Sequence, residues 1–135
     1  MNEAPDISDP VVNPDGRQSA TAAAVQRGTG RMLLSAGFAS VSELSLANGR
    51  RADLIAINAK GEIWIVEIKS SPADYLSDHN WHDDRAYCDR YYLAIPPDMD
   101  PGLIDETAGM MIADAWGAEI IREACEAKLS GARRK

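Results

Sequence analysis

The chain has 135 residues with a formal net charge of −7, 45% of them hydrophobic and 26% charged. That is enough apolar material for one globular core without staples, and two cysteines, Cys88 and Cys125, make neither a disulfide framework nor a four-ligand zinc site. No run nears the roughly 20 apolar residues of a membrane helix, and the acidic, proline-bearing start lacks the basic and apolar regions of a signal peptide, so a cytoplasmic chain with no membrane partner is expected.

The charge is unevenly spread. Residues 1–16 carry four acids and no base, and residues 74–106 carry nine acids against two bases. Residues 17–73, by contrast, hold seven bases and four acids. A polyanionic partner is therefore compatible with the first half of the core, although the overall charge does not demand one.

Residues 1–18 read as a disordered acidic tail. Ser19 is a candidate N-cap for a helix running to Gly37, with Val25, Met32 and Leu33 on one face and Gly28 and Gly30 weakening its middle. Three strands follow, forming a meander packed behind that helix. Val41–Leu46 precedes the turn signal Asn48-Gly49, and Asp53–Asn58 precedes Ala59-Lys60-Gly61. Glu62–Lys69 is the most continuously apolar and β-branched run, as in a strand buried on both faces. Ala73–Arg90 is expected to be a helix, with Tyr75, Trp81 and Tyr87 in support, and Tyr91–Ile95 a fourth strand stopped by Pro96-Pro97. After a loop to Gly109, Met110–Ala113 and Glu119–Ile121 read as a small hairpin, and residues 128–135 as a basic tail. The order α-β-β-β-α-β with a C-terminal β addition defines one α/β domain over residues 19–127, a mixed sheet flanked by helices.

The informative chemistry lies around the meander. Glu67 and Lys69 are two apart at the end of the apolar strand, so both point to one face of the sheet. The hairpin turn between Asn58 and Glu62 brings Asp53 opposite Glu67, with side chains roughly 5 Å apart. Two carboxylates that close repel, and a divalent cation is the usual remedy. Glu43, on the preceding strand, is a candidate third acid. Separately, an Asp before a strand reads as a turn residue and E-x-K as an exposed strand; the specificity lies in the combination.

Arg51-Ala52-Asp53, the hydrophobic strand and Glu67-Ile68-Lys69 resemble the D…(D/E)-x-K core of the PD-(D/E)xK nuclease superfamily, with Ala52 where proline often stands. The likeness extends from about Gly37 to Arg122, through GRRADLIAI, GEIWIVEIKSS, the Asp74–Trp81 segment, YCDRYYLAIPP and GMMIADAWGAEIIRE, and over that span the chain resembles the MmcB family of bacterial DNA repair proteins. The resemblance implies a restriction-endonuclease-like fold and a metal-dependent DNA phosphodiesterase. Asp53, Glu67 and the Ile68 carbonyl would hold Mg²⁺ or Mn²⁺, with Glu43 ligating directly or through water. Oxygen ligands suit such hard cations. Lys69 would position the attacking water or neutralise charge on the phosphate, and Arg50 and Arg51 would contact the DNA backbone. Many nucleases of this fold act as homodimers. A non-catalytic nucleic-acid module of the same fold, or an adaptor using the acidic 74–106 face, remain the alternatives.

Other signals carry blander readings. His79 and His82 are three apart beside Asp83, but with no third His or paired Cys they read as surface or capping residues. Tyr87 and Tyr91 read as packing residues, Cys88 as a buried thiol, and Trp81 as a candidate for stacking on an unpaired base.

Overall fold

The computed structural model describes residues 19–46, 49, 51–77 and 87–125. Helix α1 (Ala20–Ser35) is followed by strands β1 (Ala39–Ser45), β2 (Arg51–Ile57) and β3 (Ile63–Ile68). A short helix α2 (Pro72–Ser77), then β4 (Arg90–Ile95), a 3-10 turn at Pro101–Leu103, β5 (Gly109–Ala113) and β6 (Ala118–Arg122) complete the order. All six strands form one sheet in sequence order. The first three pair antiparallel, β3, β4 and β5 run parallel, and β6 turns back antiparallel to β5. This is the expected α-β-β-β-α-β order with its C-terminal β addition.

The termini of α1 follow from its sequence. The Ser19 side chain accepts the Ala22 N–H at 3.1 Å. At the other end Gly37 has φ 92°, and the N–H groups of Gly37 and Phe38 return to the carbonyls of Leu34 and Leu33. That glycine-capped pattern stops the helix. Gly28 has a packing reason: a Cβ there would collide with the Asp114 carbonyl oxygen and stand 2.6 Å from that of Gly117. The helix thus lies directly on the β5–β6 turn.

Each face of the sheet has its own core. Val25, Leu33 and Phe38 cover Leu54, Val66, Ile68, Tyr92, Ala94 and Met111 on the α1 face, where Trp64 stacks between Phe38 and Tyr92 at ring distances of 4.4 and 4.8 Å. The opposite face buries Ile65, Tyr91, Leu93, Ile95 and Met110 under Tyr75 of α2 and under Met99, Ile104 and Ala108 of the β4–β5 loop. Cys88 is buried there, and Tyr87 and Tyr91 pack in the same cluster, as their blander reading held.

Two expectations need correction. β1 is not packed behind the helix: it forms one edge of the sheet, and every one of its residues is exposed. The helix expected over 73–90 is described only as Pro72–Ser77, and its last expected residue, Arg90, opens β4 instead. Residues 78–86, with His79, Trp81 and His82, lie outside the described residues, as do Asn48, Arg50 and the two expected tails. The expected loop to Gly109 is present and supplies part of the core.

A candidate active site at the β2–β3 fork

The β2–β3 hairpin is held in register by its turn. The Asn58 side-chain oxygen accepts the N–H groups of Lys60 and Glu62, both at 3.0 Å, while Gly61 takes φ 80° and donates to the Asn58 carbonyl. An asparagine that mimics a backbone turn, followed by a glycine free to enter the left-handed region, fixes the loop length. The ladder then runs from Ile57↔Ile63 to Leu54↔Val66, and the next step in that register sets Asp53 opposite Glu67.

There the ladder passes from backbone to side chains. The Asp53 N–H donates to Glu67 Oε2 at 3.1 Å, and the Ile68 N–H donates to Asp53 Oδ2 at 2.8 Å. Each carboxylate is braced by the strand opposite its own. Glu67 is only 5% exposed and Lys69 6%, whereas Asp53 is half-buried. Burial pushes the Asp53 carboxyl above its ordinary value of 3.8. The Ile68 N–H, a hydrogen bond with the Glu67 carboxyl and the Lys69 charge pull it back, and the Asp74 carboxylate adds to the rise. Asp53, Glu67 and Lys69 are therefore brought together at one end of β2 and β3.

Asp74 was not singled out in the sequence. Its carboxylate accepts the Ser70 N–H at 3.0 Å, and its own N–H donates to the Ser71 hydroxyl at 3.1 Å. The signal was available: Ser71-x-x-Asp74 directly after the E-I-K triplet is a helix-start pattern that returns an acid toward the strand end.

Glu43 is not part of this group. The β1–β2 register sets it level with Asp53, but the ladder skips that pair and Glu43 takes φ 58°. Its exposed carboxylate stands 3.8 Å from the Arg51 guanidinium, which is exposed too. Among the described residues no three His, Cys, Asp or Glu converge as a metal cage would require. The side-chain donor set at the fork is two carboxylates. Oxygen-only and incomplete, it fits a hard cation such as Mg²⁺, which keeps several waters and binds through one or two carboxylates.

The fold and site thus define an α/β protein with a mixed sheet that carries an acid pair and a buried lysine at one end of its β2–β3 hairpin. A family model described as DNA repair protein MmcB-like matches residues 9–135, and the chain belongs to that family. Among solved structures it is similar to SPO1766, a protein of unknown function from Silicibacter pomeroyi, at 42% identity and a TM-score of 0.82, covering 84% of this chain and 78% of that one. It also matches a repair endonuclease from Pyrococcus abyssi at 19% identity and a TM-score of 0.36, over 53% of this chain and 34% of that one, a likeness too slight to transfer an activity. No curated protein matches. Among the described residues no helix is long and apolar enough to cross a membrane.

Proposed function

We propose that the protein is a divalent-metal-dependent nuclease that hydrolyses DNA phosphodiester bonds in a repair setting. The observation that carries this reading is the Asp53–Glu67 pair, cross-braced at 3.1 and 2.8 Å beside the buried Lys69. Two carboxyl groups brought this close at a partly buried strand end are costly to a fold that does not use them.

In this reading Asp53, Glu67 and the Ile68 carbonyl hold Mg²⁺ or Mn²⁺, which when bound supplies Lewis acidity to the scissile phosphate and lowers the pKa of a coordinated water. Lys69 places a positive charge beside the carboxylates, where negative charge grows on the phosphate during attack. Arg51 offers an exposed guanidinium next to the site for a phosphate of the backbone, a contact that positions without reading sequence.

The test is a panel of labelled single-stranded, flap, junction and duplex DNAs incubated with Mn²⁺. Cleavage of at least one form by the parent chain is expected, with loss of roughly a hundred-fold or more in Glu67→Ala. Undiminished cleavage by Glu67→Ala overturns the assignment. DNA binding with no cleavage and no Mn²⁺ affinity would favour a non-catalytic module of the same fold.

A further inference from the structure

We infer that Trp116 and Arg31 form a second contact for DNA, in which the indole stacks on an unpaired base at the rim of the sheet. Trp116 is 78% exposed, the most exposed of the large hydrophobic side chains in the described residues. It stands on a turn built to be rigid. Asp114 Oδ1 accepts the N–H groups of Trp116 and Gly117 at 2.8 and 3.1 Å, the Asp114 N–H returns to the Gly117 carbonyl, and Arg31 Nε donates to the Trp116 carbonyl at 2.9 Å. The turn also lies against Gly28 of α1. A tryptophan pinned through its backbone while its ring faces water presents an apolar plane at little ordering cost, as base-stacking platforms do.

On the α1 side of the indole charge favours an anionic occupant, whereas Asp114 and Glu119 line its other side. No acidic residue lies between Asp15 and Glu43, so α1 carries Arg27 and Arg31 and no acid, in a chain whose net charge is −7. Both arginines are exposed, one turn apart. Trp116 lines a hollow of about 470 Å³ with Arg31, Met32, Leu34 and Ser35. On its other side it lines one of about 400 Å³ with Pro97, Ile112 and Glu119. It thus stands where the α1 face meets the opposite face.

Position links the platform to the acid pair. Ile68, Ala94 and Met111 are level across the parallel strands β3, β4 and β5. At about 4.8 Å per strand, β5 lies roughly 10 Å from β3. The β5–β6 turn and the Glu67–Lys69 segment therefore share the same end of the sheet. For its place in a reaction this inference rests on the nuclease reading, and it gives that site a substrate class: DNA with an unpaired segment next to the cut.

The test measures binding of fluorescent oligothymidylate, and of a duplex of equal length, to the full chain in EDTA, where no metal-dependent cleavage interferes. Trp116→Ala should weaken single-strand binding roughly ten-fold, Trp116→Phe should restore most of it, and duplex binding should change little. Arg31→Ala should weaken both forms and flatten the salt dependence. Unchanged single-strand affinity in Trp116→Ala, or equal loss for both forms, overturns the inference, as does a loss of self-association at unchanged DNA affinity. Cleavage in Mn²⁺ is scored separately. A chain that cuts DNA but ignores Trp116→Ala loses this inference alone, and one that binds through Trp116 but never cuts loses the nuclease reading alone.

Discussion

Asp53 and Glu67 are tied to each other's strands: the glutamate accepts the Asp53 N–H, and the aspartate accepts the N–H of Ile68, the residue after Glu67. The arrangement satisfies two backbone donors but brings two carboxyls together in a place that burial makes unfavourable for charge. Asp53→Asn keeps an oxygen for the Ile68 N–H and removes one acid. Without divalent ions it should therefore be more stable than the parent, by about 1 kcal/mol. With Mn²⁺ the order should reverse, since only the parent gains binding energy. Thermal unfolding of both chains in EDTA and in Mn²⁺ checks this crossover; an Asp53→Asn variant less stable than the parent in EDTA contradicts it.

The raised pKa of Asp53 sets a pH dependence. Its folded value lies above 3.8, chiefly through burial, so in the window above 3.8 the folded state holds more of this proton than the unfolded state. Stability from this group is complete below 3.8 and falls as pH rises through the window. The metal-free parent should lose ground to Asp53→Asn as pH increases from about 4 toward neutrality. Paired melts across that range measure the difference directly, with the titrating groups remote from Asp53 cancelling between the two chains. A gap that narrows with pH would refute the burial argument.

Glu43 sits in the left-handed region at φ 58°, with its carboxylate exposed beside Arg51. Relief of that strain by glycine and the loss of an exposed ion pair are both small and opposed, so Glu43→Gly should unfold within about 1 kcal/mol of the parent. A β-branched residue cannot adopt the conformation cheaply, and Glu43→Val should cost about 1–3 kcal/mol. Cleavage by Glu43→Gly should stay within a few-fold of the parent. A collapse of activity at full stability would return Glu43 to the metal site.

Two glycines in α1 should respond oppositely to the same substitution. At Gly30 no atom of the described residues lies within 4 Å of an added Cβ, so alanine adds helix propensity and should stabilise by up to about 1 kcal/mol. At Gly28 the same methyl meets the backbone of the β5–β6 turn, which cannot rotate away as a side chain would. The clash outweighs the propensity gain, and Gly28→Ala should cost roughly 1–3 kcal/mol. Denaturant melts of the two variants distinguish these outcomes.

What could be read in the sequence was local. Asn58 and Gly61 specify their turn by their own hydrogen bonds and φ, so counting outward from it placed Asp53 against Glu67 correctly. Ser19 and Gly37 delimited α1 for the same reason. What could not be read was set by distant partners. Val41 and Leu44 lie in a run read as a strand of the meander behind the helix, yet β1 is an edge strand and both are exposed. Met99 and Ile104 sit among prolines and acids, yet the sheet's second face needs them as its cover. Glu43 lay level with Asp53 by register, but the ladder skips that pair and the Glu43 carboxylate stands beside Arg51.

Lys69 separates metal binding from chemistry. It is buried beside the acid pair, its N–H donates to the Ala94 carbonyl at 3.0 Å, and its charge lowers the Asp53 pKa. Lys69→Ala removes a cation next to the place where another cation would bind. Mn²⁺ affinity should therefore hold or rise, by up to about ten-fold if roughly 1.4 kcal/mol of repulsion is relieved. Cleavage should nevertheless fall by roughly a hundred-fold or more, because the charge that meets the developing anion is gone. Glu67→Ala should lose binding and cleavage together. Calorimetric Mn²⁺ titration beside single-turnover cleavage reads both quantities for both variants. A lysine variant that loses Mn²⁺ affinity in step with activity would show that Lys69 holds the site together rather than acting on the phosphate.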